Sequence, residues 1–140
     1  MGRWSDLQKG QEMSLALVLD VMSEQPKVYA TQITNFKDFY PCLKCRTFTV
    51  VTCKIGESIT KYDLYMDDES LLKENVPPLS GVSYDYSPLF YGNIVIGRHD
   101  SDGEMISLTP ADLAVLRSCI VTCEIIKTGK KYPILVDIRY

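Results

Sequence analysis

The 140-residue sequence has few of the residues from which enzyme active sites are usually built. It contains one histidine, His99, and neither a Gly-x-Ser-x-Gly elbow nor a Gly-x-x-x-x-Gly-Lys phosphate loop. His99 belongs to the polar stretch RHDSDG, where Asp100 and Asp102 accompany it. This composition is typical of a solvated turn between strands, so the sequence predicts no catalytic residue and no enzyme activity.

Long apolar runs and basic clusters are also absent. The longest apolar run, Leu15 to Leu19, is far shorter than the roughly 20 residues needed to cross a bilayer. The formal net charge is −3, and no Lys/Arg-rich patch occurs. The aromatic residues near Tyr84 and Tyr86 have no Lys or Arg between them, which argues against stacking on a single-stranded nucleic acid. We therefore expect no direct sequence-specific nucleic-acid binding.

The five cysteines are odd in number and irregularly spaced, which argues against a disulfide framework. No secretory apolar segment precedes them, so the sequence favours free thiols in a reducing, intracellular compartment. Cys42 and Cys45 form a Cys-x-x-C, the spacing of half a zinc site or of a redox pair. The second pair that zinc needs is poorly matched by Cys119 and Cys123, and a redox pair belongs at the start of a helix. Small buried side chains are the favoured interpretation, with no metal or cofactor; zinc at Cys42 and Cys45 is the weaker alternative.

The pattern of apolar residues predicts an α+β fold. A period of two, typical of strands, occurs in segments 13–22, 47–53 and 59–66, and segments 89–97, 104–108, 121–127 and 132–140 also predict strands. Ile33, Phe36 and Tyr40 have helical spacing behind Thr31 as N-cap, and Pro41 should end that helix. Thr109 and Pro110 begin a second helix. This order predicts a mainly antiparallel sheet with two short helices packed on one face.

The chain is expected to form one globular domain over residues 12–140, preceded by a flexible N-terminal arm over residues 1–11. Residues 76–88 (VPPLSGVSYDYSP) contain three prolines and two tyrosines and predict a long irregular loop. A loop of this length that carries apolar and aromatic residues favours an interaction role.

Three segments together resemble the matrix proteins of rhabdoviruses. They are VLDVMSEQPKVYATQI from Val18, FYGNIVIGRHDSDGEMISLT from Phe90, and ADLAVLRSCIVTCEIIKTGKKYPILVDIRY from Ala111. The resemblance implies a non-enzymatic structural protein that self-associates and links the viral ribonucleoprotein to the inner face of the envelope during assembly and budding. It implies a location in the host cytoplasm and the virion, with the chain itself, the nucleocapsid and the inner membrane surface as partners.

Matrix proteins of this family self-associate by inserting a segment of one molecule into a hydrophobic pocket of the next. The resemblance offers the arm, with Trp4 and Leu7, and the VPPLSGV loop, with Pro77, Pro78 and Leu79, for such contacts. Tyr84 and Tyr86 are further candidate residues for a protein contact, because they are aromatic residues of the same irregular loop. The sequence departs from the family in lacking a Lys-rich tail and a Pro-Pro-x-Tyr motif, since Leu79 and Ser80 follow Pro77 and Pro78. The alternative is a monomeric intracellular binding or immunity-type module, in which the Tyr84–Tyr86 loop and the acidic turns contact a single protein partner.

Overall fold

A computed structural model describes residues 13–140 of the chain. The predicted arm, with Trp4 and Leu7, lies outside the described residues. In order along the described part, the elements are β1 Ser14–Asp20, β2 Lys27–Ile33, α1 Phe39–Leu43, β3 Phe48–Ile55, β4 Lys61–Asp67, β5 Leu79–Ser83, β6 Pro88–Tyr91, β7 Ile94–His99, β8 Met105–Ile106, α2 Pro110–Ser118, β9 Ile120–Ile125 and β10 Lys130–Arg139. Within residues 13–140, no helix has both the length and the apolar character needed to cross a membrane.

The strands of the described part join in one mixed sheet. Eight follow the order β2-β1-β7-β4-β3-β10-β5-β6, while β8 pairs with β7 and β9 pairs with β10. Every pairing is antiparallel except that of β5 with β10, which is parallel. The prediction of a mainly antiparallel α+β fold is confirmed.

The two helices pack on opposite faces of β1. Leu17 and Leu19 point into one hydrophobic cluster, which includes Leu116 of α2. Ala16 and Val18 alternate with them and point into a second cluster, which includes Phe39 and Leu43 of α1. Because β1 is apolar on both faces, each face must be covered by other apolar residues. Helix α1 covers part of one face, and α2 covers part of the other. The expectation that both helices share one face is therefore not confirmed.

The first helix begins later than the sequence predicts. Thr31 lies in β2, and the N-cap is Asn35, whose side chain accepts a hydrogen bond from the Lys37 backbone at the start of a 3-10 turn over Phe36–Asp38. Pro41 does not end the helix but lies in the first turn of α1. A proline is tolerated there because the first backbone N–H groups of a helix have no partner inside it.

Residues 76–88 are not irregular throughout, because Leu79–Ser83 forms β5 in the interior of the sheet. Ser80 and Gly81 are buried between β10 and β6. A Cβ atom on Gly81 would lie 2.7 Å from Cδ2 of Phe90 and 3.2 Å from Cδ1 of Ile138, so only glycine fits without rearrangement. Serine and glycine have low strand preference, which is why the pattern did not predict this strand.

The predicted strand over residues 89–97 is two strands. It is interrupted at Gly92, where the backbone has a φ of +91°, and the chain passes from β6 at the edge of the sheet to β7 near its centre. The Gly92 N–H donates to the carbonyl of Pro78 over 2.9 Å. Apolar residues continue on both sides of Gly92 and Asn93, so the sequence did not indicate the break.

The last strand, β10, changes partners along its length. From Lys130 to Leu135 it pairs with β9, and at Ile138 and Arg139 it pairs with β3. Between Leu135 and Ile138 the register with β5 shifts, since three steps along β10 match two along β5. Asp137 has a positive φ of 60° at this bulge, and its carbonyl accepts a hydrogen bond from Gly56. A bulge bends a strand locally, and here the bend lies where the partner of β10 changes from β9 to β3.

A buried polar network connects α2, the helix that precedes β9 in the chain, to the sheet. Asp112 closes a capping box with Thr109 and accepts hydrogen bonds from Tyr62 Oη at 2.8 Å and from Arg98 Nη1 at 2.9 Å. Burial acts to raise the pKa of Asp112, but the hydrogen bonds from Thr109, Arg98 and Tyr62 outweigh it and hold the pKa below its usual value. The ionised carboxylate thus links α2 to β4 and β7.

We expect Asp112→Asn to lower the free energy of unfolding by about 2–3 kcal/mol at pH 7, because it removes hydrogen bonds to a charged group and half of the capping box. Since folding lowers the pKa of Asp112, its stabilising effect is present above the unfolded-state pKa and lost as pH falls through the folded-state pKa. Urea denaturation between pH 7 and pH 3 measures this effect. Asp102→Asn, in an exposed turn, is the control, and equal stability losses would contradict the role of Asp112.

Gly81→Ala should destabilise the protein by about 1–3 kcal/mol, because the added methyl group meets a buried ring. Gly97→Ala is the matched control. There the Cβ would lie 2.7 Å from Cε of Met105, the movable end of a flexible side chain, so a smaller loss is expected. Thermal unfolding of both variants measures the difference. A larger loss of stability in Gly97→Ala would show that the contact with Phe90 is not what makes Gly81 necessary.

Candidate functional site

The hairpin formed by β9 and the first half of β10 exposes an apolar face. Every residue of β9 after Ile120 is exposed, including Val121 at 42% and Ile125 at 47%. Cys123 lies between them on the same face, because side chains alternate along a strand. The residues opposite Val121 and Cys123 on β10 are Ile134 and Tyr132. The strand therefore presents a stripe of apolar side chains that the described part of the chain leaves uncovered.

This stripe is one wall of an apolar groove of about 340 Å³. The other wall is the start of β5. The groove is lined by Pro78, Leu79, Cys123, Ile125, Tyr132 and Ile134. A second depression of about 280 Å³ shares Pro78 and Tyr132 and extends toward Val21 and Met22 at the end of β1. We call the six lining residues of the first cavity the hairpin groove.

The structure places the predicted site residues in different environments. Pro78 and Leu79 are half-buried and line the hairpin groove, whereas Pro77 is buried, with its ring near Gly92. Tyr84 and Tyr86 lie beyond the far end of β5 and do not reach the groove. Trp4 and Leu7 are outside the described residues.

Four groove residues were missed by reasoning from the sequence: Cys123, Ile125, Tyr132 and Ile134. The sequence predicts the strands themselves. It does not tell which face of a strand is covered by the rest of the fold. That depends on the bend in β10, which has no clear sequence signal.

Tyr84 and Tyr86 form an aromatic tip on the turn between β5 and β6. Their side chains are 64% and 84% exposed, and Tyr86 has a φ of +67°. The turn is held by a hydrogen bond from the Ser83 hydroxyl to Asp85 and by one from the Tyr86 N–H to the Ser83 carbonyl. The guanidinium of Arg139 lies 5.7 Å from the centre of the Tyr84 ring. The tip is thus a second exposed surface, separate from the hairpin groove.

The single histidine is hydrogen-bonded to a buried carboxylate and not to Asp100 or Asp102 of its own turn. His99 Nδ1 lies 2.6 Å from Asp63 Oδ2, and the other oxygen of Asp63 accepts a hydrogen bond from Thr52 Oγ1 at 2.7 Å. Among residues 13–140, no serine, threonine or cysteine side chain is hydrogen-bonded to His99. The pair links the side chains of three neighbouring strands, β3, β4 and β7.

The acidic turn after β4 is partly neutralised by basic neighbours. Ligand atoms of Asp67, Asp68 and Glu69 lie within 4.8 Å of one another. Lys73 Nζ lies 2.6 Å from Asp67, and Arg46 Nη2 lies 3.1 Å from Glu69, while Asp68 accepts a hydrogen bond from the Thr47 hydroxyl. Because each carboxylate already has a partner within the protein, we interpret the cluster as an ion-paired turn and not as a cation site.

The cysteines are free, and in the described residues they do not join a group of three potential metal ligands. Cys42 lies in α1 and Cys45 just after it, both packed against the second hydrophobic cluster. Burial raises the pKa of the Cys42 thiol, and it raises the pKa values of Cys45 and Cys53 to about 11. These thiols are therefore protonated at neutral pH and poorly nucleophilic.

Thiol labelling should reflect this difference in environment. At pH 7.5, and at a protein concentration low enough for the chain to be monomeric, a maleimide should modify the exposed Cys123 at least about tenfold faster than Cys45 or Cys53, because those two thiols are shielded and burial raises their pKa. Mass spectrometry of partially labelled protein measures the order of reaction, and Cys123→Ser is the control that should abolish the fast phase. Fast labelling of Cys45 would contradict the buried environment described above.

Comparisons with known proteins found no match of any kind: no protein-family model, no curated protein and no solved structure matches this chain. Function is therefore inferred from the hairpin groove and the aromatic tip.

Proposed function

We propose that this chain is a non-enzymatic structural protein that self-associates through the hairpin groove. The observation that carries the proposal is the exposed apolar stripe of Val121, Cys123 and Ile125 beside the groove wall at Pro78 and Leu79. Contiguous apolar surface of this kind typically marks a site of protein contact, because leaving it in water is unfavourable.

The chemistry of the groove favours a protein partner over a small polar ligand. Its lining carries no charged side chain, and its polar groups are limited to backbone atoms, the Cys123 thiol and the Tyr132 hydroxyl. Small-molecule sites usually combine an apolar cavity with several convergent polar groups. A lining depleted in charge and containing an aromatic residue is typical of the centre of a protein interface.

The resemblance to rhabdovirus matrix proteins supports the same proposal. In that role, the self-associated protein would condense the viral ribonucleoprotein and link it to the inner face of the envelope, in the host cytoplasm and the virion. Pro78 and Leu79, which the resemblance offers as contact residues, line the groove. The proposed partners are other copies of the chain first, then the nucleocapsid and the inner membrane surface.

A second candidate function rests on the aromatic tip. Exposed tyrosines on a short, hydrogen-bonded turn are well suited to contact one protein partner, since tyrosine buries a large area at a low cost in side-chain entropy. In this proposal the chain is a monomeric binding module, and Tyr84 and Tyr86 are its main contacts. The oligomeric state distinguishes the two candidates.

Ile125→Asp should weaken self-association by about tenfold or more, because it places a carboxylate in the apolar groove. Leu79→Asp, on the opposite wall, should act in the same direction. Ile59→Asp is the matched control: Ile59 is 90% exposed in the turn between β3 and β4, away from the groove. Sedimentation velocity over a concentration series, with circular dichroism to verify folding, measures the effect.

Two outcomes would contradict the first proposal. If the unmodified protein stays monomeric across the concentration series, self-association is wrong and the binding-module candidate is favoured. If Ile125→Asp and Ile59→Asp assemble equally well, the chain self-associates through another surface.

A further inference from the structure

Strand β9 has a free edge. Among the described residues, β9 pairs with β10 alone, from Ile120 to Ile125, and no strand lies along its other side. The backbone N–H and C=O groups on that side are thus available to another strand. An exposed edge of this length is a ready template for strand pairing between molecules.

Strands β2 and β6, at the two ends of the strand order, have features that oppose such pairing, and β9 does not. Strand β6 is four residues long and begins with Pro88, which cannot donate a backbone hydrogen bond. Strand β2 follows Pro26 and begins with Lys27, a charge that discourages pairing. Strand β9 (IVTCEI) contains no proline, glycine or lysine, and its register with β10 is regular.

We infer that the outer edge of β9 pairs antiparallel with β9 of a second copy, about a twofold axis that places the two Cys123 residues opposite one another. This inference rests on the self-association proposed above and specifies its geometry. The two hairpins then form one continuous four-stranded ribbon, and the two apolar stripes lie side by side on the same face.

The register follows from the side chains of β9. Residues directly opposite one another in an antiparallel pair lie on the same face, so Val121, Cys123 and Ile125 must face members of the same set. Centring the pair on Glu124 would place two like charges opposite each other, which is destabilising. Centring it on Thr122 would place Ile120 opposite Glu124 and leave Ile125 without a partner in the strand.

Centring the pair on Cys123 avoids both problems. Val121 of each copy then lies opposite Ile125 of the other, which joins two exposed β-branched residues. Glu124 lies opposite Thr122 and retains Lys131 of its own chain as its neighbour on β10. This match of apolar with apolar side chains, without opposed charges, identifies a second copy of β9 as the occupant of the edge.

Cys123 provides a direct test of the pairing. Opposite residues of antiparallel strands have Cα atoms about 4.5–5.5 Å apart, within the range that a disulfide can bridge. A Cys119→Ala variant, which leaves Cys123 as the hairpin's sole thiol, is oxidised with copper–phenanthroline at concentrations where the protein self-associates. We expect a Cys123–Cys123 linked dimer, identified by peptide mass spectrometry.

The matched control moves the thiol by one residue. The triple variant Cys119→Ala/Cys123→Ser/Thr122→Cys carries its hairpin thiol at residue 122, which lies opposite Glu124 of the other copy. Crosslinking should therefore be about tenfold slower than through Cys123. Equal or faster crosslinking through residue 122 would overturn the proposed register. Absence of a Cys123–Cys123 link at concentrations where sedimentation velocity shows the protein to be associated would overturn pairing through this edge.

A second pair of variants tests the edge without oxidation. Val121→Lys should lower the association constant by about tenfold or more, because lysine on an edge strand opposes pairing. Thr128→Lys adds the same charge in the exposed turn and should have no effect. If the two variants associate equally while Ile125→Asp and Leu79→Asp remain defective, edge pairing is wrong and groove-mediated self-association stands. If the unmodified chain is monomeric, edge pairing and groove-mediated self-association are both wrong.

Discussion

The bulge of β10 at Val136 and Asp137 is the constraint on which both the scaffold and the interaction surface depend. On either side of it, Leu135 and Ile138 are fully buried and hold the strand against the core. Before the bulge, β10 pairs with β9; after it, β10 pairs with β3. The bulge therefore lies where the strand that carries the apolar stripe, β9, and the core strand β3 meet along β10.

Polar and apolar groups have separate roles in this molecule. The buried and partly buried charges, such as Asp63 with His99 and Asp112 with Arg98, connect strands and the second helix within the scaffold. The acidic turn at Asp67 is likewise balanced by Lys73. The hairpin groove, by contrast, has no charged lining. Electrostatic interactions therefore contribute to the stability of the fold, while the lining of the hairpin groove is apolar.

The sequence predicts the elements whose signals are local. The β-branched alternation around Val51 and the capping sequence at Thr109 each identify their element, and both are found. Strand β5 could not be predicted, because Ser80 and Gly81 are selected by contacts with β6 and β10 that lie far away in the chain. The site shows the same division between local and distant signals. The composition of the 76–88 loop, a local signal, indicated Pro78 and Leu79. Tyr132 and Ile134 become groove residues only through the parallel pairing of β5 with β10.

That parallel pairing also affects how the chain must fold. The residues it joins, Gly81 with Leu135, are separated by β6, β7, β8, α2 and β9. Loop-closure entropy opposes such a contact until the intervening elements are ordered, so docking of β10 is a late step. Before it occurs, β3 and β5 each lack a neighbour and their apolar side chains are open to solvent. Until β10 docks, the strand edges that it covers on β3 and β5 are therefore open to pairing with other molecules.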